Sequence, residues 1–268
     1  MRTARAEPLT DPVAYHAEGP VWSERWGGLR WVDMLAPPHH AALRPRRRGG
    51  AVIGVERGFA LEDPDGTLTH LDELWPDAGV RMNEGGCDPD GRFYCGSMAL
   101  DRRPGGGALY RLDPDRSVHV VLESVTISNG LEWSPDGSHA YYADTPTQRI
   151  ALFDYAGDAG LTGMRVFVEI PPEAGHPDGL TVDAEGGVWI ALNNGGAVRR
   201  YTADGALDRV VEVPARKVTA CTFGGPRLDR LFITTSREDL EPGDDPLAGS
   251  LFHAEVRLSG LPVREFDG

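Results

Sequence analysis

Short apolar runs separated by turn residues recur along the chain, and they predict β-hairpins. The clearest example covers residues 131–145, where an alternating strand ends in the turn Pro135-Asp136-Gly137 and a second apolar run follows. Alternation with a period of two around a Pro-Asp-Gly turn is typical of a hairpin. Long helical periodicity is absent. The pattern therefore predicts an all-β chain.

Hairpins of two kinds alternate along the sequence. Strongly apolar hairpins are predicted at residues 19–34, 41–56, 86–98, 131–145, 180–192 and 221–236. More amphipathic hairpins are predicted at residues 59–71, 108–122, 150–170, 198–213 and 251–266. Inner and outer hairpins of this kind form four-stranded blades, so the sequence predicts one six-bladed β-propeller domain over residues 1–268. Only six residues separate Met34 from Ala41, which is too short for an outer hairpin in the first blade.

The charge and the cysteine content limit which binding partners and which cellular compartment are expected. The formal net charge is −14, which argues against nucleic acid or an anionic membrane as a partner. No segment is apolar enough to span a bilayer and no signal sequence is evident, so a cytoplasmic protein is expected. The three cysteines are predicted to be reduced core residues. The basic run at residues 44–48 is interpreted as a solvated hairpin turn.

Residues just before the inner hairpins are the candidates for chemistry. In a propeller these segments meet at one end of the central channel, although they are far apart in sequence. Several oxygen ligands at one axis would repel each other unless a cation lay between them, and hard oxygen ligands suit Ca²⁺, Mg²⁺ or Mn²⁺ without excluding Zn²⁺ or Fe²⁺. The six segments are Glu18-Gly19, His39-His40, Glu84-Gly85, Asn129-Gly130, Asp178-Gly179 and Thr219-Ala220.

A series of motifs between Glu18 and about Ser236 resembles the SMP-30/gluconolactonase/regucalcin-like family of six-bladed propellers. The motifs are Glu18-Gly19-Pro20-Val21-Trp22, Trp31-Val32-Asp33, Arg81-Met82-Asn83-Glu84-Gly85, Gly107-Ala108-Leu109-Tyr110-Arg111, Ile127-Ser128-Asn129-Gly130-Leu131, Tyr142-Ala143-Asp144-Thr145 and Pro177-Asp178-Gly179-Leu180-Thr181.

The resemblance implies a site and an activity. Glu18, Asn129 and Asp178 would bind a single divalent metal ion, and Asp178 would also act as the general base. Arg81 and Asn83 would line the substrate pocket, with Asn83 close to the metal. The chemistry of these residue types agrees, because a cation polarises an ester carbonyl while a carboxylate takes a proton from the attacking water. The expected function is hydrolysis of a small-molecule sugar lactone by a monomer or weak homo-oligomer.

The sequence leaves alternatives open. An organophosphate or aryl-ester hydrolase would need the same metal and carboxylate, so the residues do not separate it from a lactonase. A non-catalytic calcium-binding regulator or an interaction platform is less consistent with acids and amides at the channel mouth.

Some residues depart from the family pattern, and three histidines lie outside its motifs. Asn193 and Asn194 lie where relatives often have an aromatic residue, and Asp101, Arg102 and Arg103 replace a glutamate that some relatives use. His39 and His40 are interpreted as loop surface, and His176 as a residue of the pocket rim.

Overall fold

The computed structural model describes residues 1–268, and its regular elements are almost all β-strands. Four single-turn 3₁₀ helices lie between strands, at Glu24–Trp26, Thr145–Thr147, Gly157–Ala159 and Pro172–Ala174. The strands, in chain order, are β1 (Arg2–Arg5), β2 (Glu7–Pro8), β3 (Ala17–Ser23), β4 (Gly28–Asp33), β5 (His40–Pro45), β6 (Ala51–Val55), β7 (Gly58–Glu62), β8 (Leu68–His70), β9 (Val80–Cys87), β10 (Phe93–Ala99), β11 (Gly107–Leu112), β12 (Val118–Val125), β13 (Ser128–Trp133), β14 (His139–Asp144), β15 (Arg149–Ala156), β16 (Gly160–Glu169), β17 (His176–Val182), β18 (Val188–Asn193), β19 (Ala197–Tyr201), β20 (Leu207–Glu212), β21 (Val218–Gly224), β22 (Arg230–Thr235) and β23 (Phe252–Glu255).

These strands form an all-β propeller. Five sheets have four or five strands: β5 to β8, β9 to β12, β13 to β16, β17 to β20 with β1, and β21 to β23 with β2. The hairpin β3–β4 is a sheet of only two strands. The structure thus has five complete blades rather than six, because the short connection after Met34 contains no outer hairpin. Around the channel, the inner strands contact one another in the order β3, β5, β9, β13, β17, β21 and back to β3.

The prediction of an outer hairpin at residues 251–266 is wrong. Only β23 forms there, and the fourth strand of that sheet is β2 from the opposite end of the chain. The segment before Glu18 therefore adds a strand to each of two sheets. Strand β2 completes the last sheet, and β1 adds a parallel fifth strand to the sheet of β17. The two-stranded sheet receives no added strand, although the backbone N–H groups of Tyr15 and His16 donate to the Asp33 carboxylate.

Large aromatic side chains fill the spaces between neighbouring sheets. The rings of Trp133 and Tyr94 meet edge to face at 5.3 Å between the sheets of β13 and β9. Trp189 and Phe223 meet in the same way at 5.6 Å between the sheets of β17 and β21. Such pairs contribute about 1 kcal/mol beyond the area that they bury. All three cysteines are free and buried, as the sequence predicted.

The basic run at residues 44–48 differs from its prediction as a solvated turn. Arg44 and Arg46 are buried, whereas Arg47 and Arg48 are exposed. Strand β5 extends to Pro45 and Arg46 forms a further bridge, so the exposed turn begins only at Arg47. Arg46 is held by the Asp63 carboxylate at 2.9 Å and by the carbonyl of Gly268 at 2.8 Å.

The last residues of the chain cross one end of the channel. Gly260 pairs with Asp183 and Phe266 pairs with Arg46 as isolated bridges to separate sheets. Residues 261–264 line a cavity of about 210 Å³ between them. The opposite end of the channel is free of this segment. No helix in the structure has the length and apolar character needed to cross a membrane.

Candidate active site

A local shift in strand register places the candidate residues. In each inner hairpin the pairing is interrupted once near the start of the first strand, which is the signature of a β-bulge. The interruptions lie between Glu18 and Val21, between Ser128 and Leu131, and between Pro177 and Leu180. Glu18, Asn129 and Asp178 therefore lie inside the first strands of these hairpins, not just before the hairpins as the sequence suggested. A bulge re-aims a side chain, here towards the channel.

Two glycines that follow candidate residues are needed for close packing of neighbouring inner strands. A Cβ on Gly130 would lie 2.8 Å from the Asp178 carbonyl oxygen and 2.6 Å from Leu180. A Cβ on Gly179 would overlap Ala220 of the next inner strand. Neither glycine has a positive φ, so the reason for glycine is close backbone approach and not turn conformation.

Glu18, Asn129 and Asp178 all line one cavity at the open end of the channel. The cavity has a volume of about 390 Å³, and Arg81, Asn83 and His176 also line it. The three candidate ligands are buried, with 5% or less of each residue exposed. The structure thus brings together all five residues that the resemblance named, and it places His176 at the same cavity.

The carboxylates of Glu18 and Asp178 are buried, and neither has a basic ion-pair partner other than histidine. Burial raises the pKa of Asp178 to about 7, and a hydrogen bond from Asn193 and the Arg81 charge oppose that rise. Burial also raises the pKa of Glu18 well above its ordinary value, and the nearby Asp178 and Glu84 carboxylates add to the effect. No Lys or Arg nitrogen lies within 4 Å of either carboxylate. Two acidic groups in this setting favour a cation between them.

Hydrogen bonds from neutral amide side chains orient the candidate ligands. The Asn193 amide donates to Asp178 Oδ2 at 3.0 Å. The Asn83 amide donates to Asn129 Oδ1 at 2.9 Å, and Asn129 in turn donates to the Thr145 hydroxyl at 2.7 Å. Side chains held in this way need little reorganisation when they bind a ligand.

His16 is a residue of this site that sequence reasoning missed. It is buried, its Nδ1 lies 2.7 Å from the Ser236 hydroxyl, and its Nε2 lies 3.7 Å from Glu18 Oε1. Burial, with the Arg81 charge, lowers the pKa of His16 to about 3, so its imidazole is neutral at pH 7. Its position two residues before Glu18 was the available signal, because alternate residues of an extended chain face the same side.

Other charged residues at the cavity were also missed. Lys217, Glu238 and Asp239 line it together with Arg102, whose loop was noted only as a departure from the family pattern. Arg102 follows β10, Glu238 and Asp239 follow β22, and Lys217 directly precedes β21. No motif in the sequence marked these residues.

Three of the six candidate segments do not line this cavity. Glu84 lines the cavity at the opposite, closed end of the channel, whereas the preceding Asn83 lines the open cavity, since successive side chains of a strand point to opposite sides. Neither His39 nor His40 lines the site cavity. His39 lies in a loop, with Nδ1 3.2 Å from the Met34 carbonyl, but the interpretation of His40 as loop surface is wrong because it begins strand β5. The Thr219 hydroxyl donates to the Ala17 carbonyl and joins two inner strands.

The donor set suits a hard divalent cation. No group of three or more His, Cys, Asp or Glu side chains has the geometry to hold a metal ion. The candidate set contains only two such side chains, since its third member is the Asn129 amide. Two carboxylates and an amide oxygen are ligands that Ca²⁺ and Mg²⁺ prefer, and they also bind Mn²⁺.

Comparison with known proteins identifies relatives over nearly the whole chain. Residues 16–237 match the family model described as the SMP-30/Gluconolactonase/LRE-like region. The chain is 34% identical to a pentonolactonase of Haloferax volcanii over 95% of each protein. It is 34% identical to a 6-deoxy-6-sulfogluconolactonase of Pseudomonas putida over 94% of each. The crystal structure of a regucalcin from Agrobacterium tumefaciens, described as a calcium-binding protein, superposes with a TM-score of 0.93 at 27% identity, covering 99% of both chains.

Proposed function

Since the chain belongs to the SMP-30/gluconolactonase/LRE-like family, we propose that it is a divalent-metal-dependent lactonase that opens a sugar-acid lactone to the free acid. The observation that carries the proposal is the convergence of Glu18, Asn129 and Asp178 on one open polar cavity. Two of these are buried carboxylates without a guanidinium or ammonium partner, and relatives that match almost end to end are named as lactonases.

The metal would be held by Glu18, Asn129 and Asp178. Ca²⁺ is the first candidate because these are oxygen donors and the similar regucalcin structure is described as calcium-binding, while Zn²⁺, Mn²⁺, Mg²⁺ and Fe²⁺ are the alternatives. Such an ion, when bound, supplies Lewis-acid polarisation of the lactone carbonyl. A bound cation would also lower the pKa of both carboxylates, which burial raises in its absence.

Asp178 acts as the general base in this proposal. It takes a proton from the attacking water while the water oxygen bonds to the carbonyl carbon of the lactone. The ring C–O bond then breaks, and the ring oxygen leaves as a hydroxyl because Asp178 gives it the proton that it took from the water. The hydrogen bond from Asn193 holds the Asp178 carboxylate in one orientation during both transfers.

Arg81 and Asn83 bind substrate. The Arg81 Nη1 donates to Asn83 Oδ1 at 2.7 Å and to the Met82 carbonyl at 2.9 Å, which fixes the guanidinium at the cavity wall. No carboxylate lies within 4 Å of Arg81, so its charge is free to meet hydroxyls of the lactone or the carboxylate that hydrolysis creates.

We further infer that the two-stranded sheet is a sixth blade reduced to its inner hairpin. Strand β3 packs between β21 and β5, which is the place that an inner strand of a sixth blade would occupy. The bulge after Glu18 matches the bulges of the other inner hairpins.

Acid release from a panel of lactones tests the proposal. The protein is first treated with a chelator and then supplied with single divalent cations, and gluconolactone, xylonolactone, an organophosphate and an aryl ester are compared in a pH-stat. We expect hydrolysis of a sugar lactone that is lost with chelator and restored by at least one cation. Faster hydrolysis of the aryl ester or organophosphate, or lactone hydrolysis that survives chelation, would contradict it.

A further inference from the structure

Ion pairs join two loops above the candidate site. Arg102 Nη2 lies 3.4 Å from Glu238 Oε1 and 3.3 Å from Asp239 Oδ2. All three residues line the cavity that contains Glu18 and Asp178. The side chains of Arg102 and Asp239 are more than half exposed, so the ion pairs lie at the mouth of the cavity.

These ion pairs connect opposite sides of the channel. Arg102 follows β10, which pairs with the inner strand β9, and Glu238 and Asp239 follow β22, which pairs with the inner strand β21. In the ring of inner strands, β9 and β21 are separated by two strands in either direction. A substrate that enters the cavity therefore passes beside this bridge.

The acidic side of the bridge is anchored. The buried Lys217 ammonium donates to the Glu238 carbonyl oxygen and lies 3.9 Å from the Asp239 carboxylate. The Glu238 backbone N–H donates to the Ser236 hydroxyl at 2.9 Å. Arg102 and Asp239 have φ angles of 56° and 55°, a left-handed conformation that persists only where surrounding contacts hold it. The bridge is therefore positioned by both loops.

Positive charge at the rim is already matched by negative charge. Arg102 and Lys217 face Glu238 and Asp239, so these four groups sum to zero. Deeper in the cavity, Arg81 has no carboxylate within 4 Å. An anion is thus accommodated near Arg81 but meets two carboxylates at the rim, and the net charge of −14 adds to this repulsion.

We propose that Arg102, Glu238 and Asp239 determine specificity by favouring uncharged sugar lactones over lactones that carry an acidic group far from the ester. The inference rests on the proposed lactonase function. A neutral lactone leaves the ion pairs intact. An acidic group at the far end of the substrate would have to displace a carboxylate from Arg102 and remain beside it, which costs binding energy.

A matched pair of substrates tests this inference. Gluconolactone and 6-deoxy-6-sulfogluconolactone differ only at carbon six, where the second carries a sulfonate. The value of kcat/KM is measured for both with the wild type, Asp239→Asn and the double variant Asp239→Asn with Arg102→Gln. Glu241→Gln is the control, because it removes an exposed carboxylate from the same loop outside the cavity.

The wild type should prefer gluconolactone by about tenfold or more. Asp239→Asn should raise the ratio of sulfonated to unsubstituted kcat/KM by about fivefold through a lower KM for the sulfonated lactone. The double variant should lose that gain, and Glu241→Gln should leave the ratio unchanged.

Equal turnover of the two lactones by the wild type would overturn the inference, as would an unchanged ratio in folded Asp239→Asn. In both cases gluconolactone hydrolysis still supports the proposed function. If the protein hydrolyses neither of these lactones and no other sugar lactone of the panel, the proposed function is overturned and this inference with it.

Discussion

The two ends of the central channel both contain buried carboxylates, but they differ in the residues around these groups and in access from solvent. At the open end, Glu18 and Asp178 share a cavity of about 390 Å³ with the Asn129 amide, and neither has a Lys or Arg partner within 4 Å. At the closed end, Glu84 and Glu132 share about 210 Å³ with Arg44 and Arg264, beneath the C-terminal segment.

This difference shows that a buried carboxylate does not by itself mark an active site. Removing a carboxylate from water costs several kcal/mol unless an opposite charge offsets it. At the closed end no Lys or Arg nitrogen lies within 4 Å of Glu84 or Glu132 either, and the charges of Arg44 and Arg264 only oppose the rise in pKa that burial causes. At the open end, the negative charge of Glu18 and Asp178 and the amide oxygen of Asn129 suit a cation from solution, and the cavity is open to a substrate.

Asp178→Asn should have the largest effect on activity. If Asp178 takes the proton from water, the variant should lose about 100-fold or more in kcat. It should keep part of its affinity for metal, because an amide oxygen still binds a hard cation. Steady-state kinetics at saturating cation provides the measurement.

Glu84→Gln is the matched control at the closed end. It neutralises a buried carboxylate of the same channel and should change kcat by no more than about threefold. Near-normal turnover by metal-loaded Asp178→Asn would rule out Asp178 as the base.

Arg81→Ala should have a smaller effect, confined to substrate binding. We expect KM for a hydroxylated lactone to rise about tenfold, since the variant removes a fixed set of hydrogen-bond donors. Bound metal, measured by elemental analysis, should not change. Loss of metal from this variant would show that Arg81 supports the ligands instead of the substrate.

The smallest effect is expected on stability at the closed end. Burial raises the pKa of Glu84 to about 8, with a further contribution from Asp178 and an opposing one from Arg44. Between the ordinary value near 4.5 and about 8, the folded protein holds a proton that the unfolded chain releases, so stability falls as the pH rises.

Glu84→Gln lacks this titration. In chelator, its Tm should match that of the wild type near pH 4.5 and exceed it by roughly 3 °C at pH 8. Thermal unfolding followed by circular dichroism across this range provides the measurement. An advantage that is the same at both pH values would show that Glu84 is ionised throughout.

The sequence predicted most of the fold because its strands are local hairpins with visible turns. It failed where pairing joins distant parts of the chain. The strand β23 has only four residues and its partner is β2 near the N-terminus, so nothing local distinguishes this arrangement from another hairpin.

The site shows the same limit. Glu18, Asn129 and Asp178 were recognisable because each lies in a motif, and Asn193 was noted for its type but not for its hydrogen bond to Asp178. The alternation of side chains along β9 separates Asn83 from Glu84, but the sequence alone does not reveal which of the two lines the open cavity. The bridge between Arg102 and Glu238 depends on loops from opposite sides of the channel.

Calorimetric titration of a divalent cation tests the central claim most directly, because it compares the two ends of the channel without relying on turnover. Ca²⁺ is titrated into the chelator-treated wild type, Glu18→Gln and Glu84→Gln, and Mn²⁺ and Zn²⁺ follow. We predict one ion per chain in the wild type, about 100-fold weaker binding in Glu18→Gln, and binding within about tenfold of the wild type in Glu84→Gln. Binding that is unaffected by Glu18→Gln, or that is lost in Glu84→Gln, would contradict the assignment of the metal site to the open end.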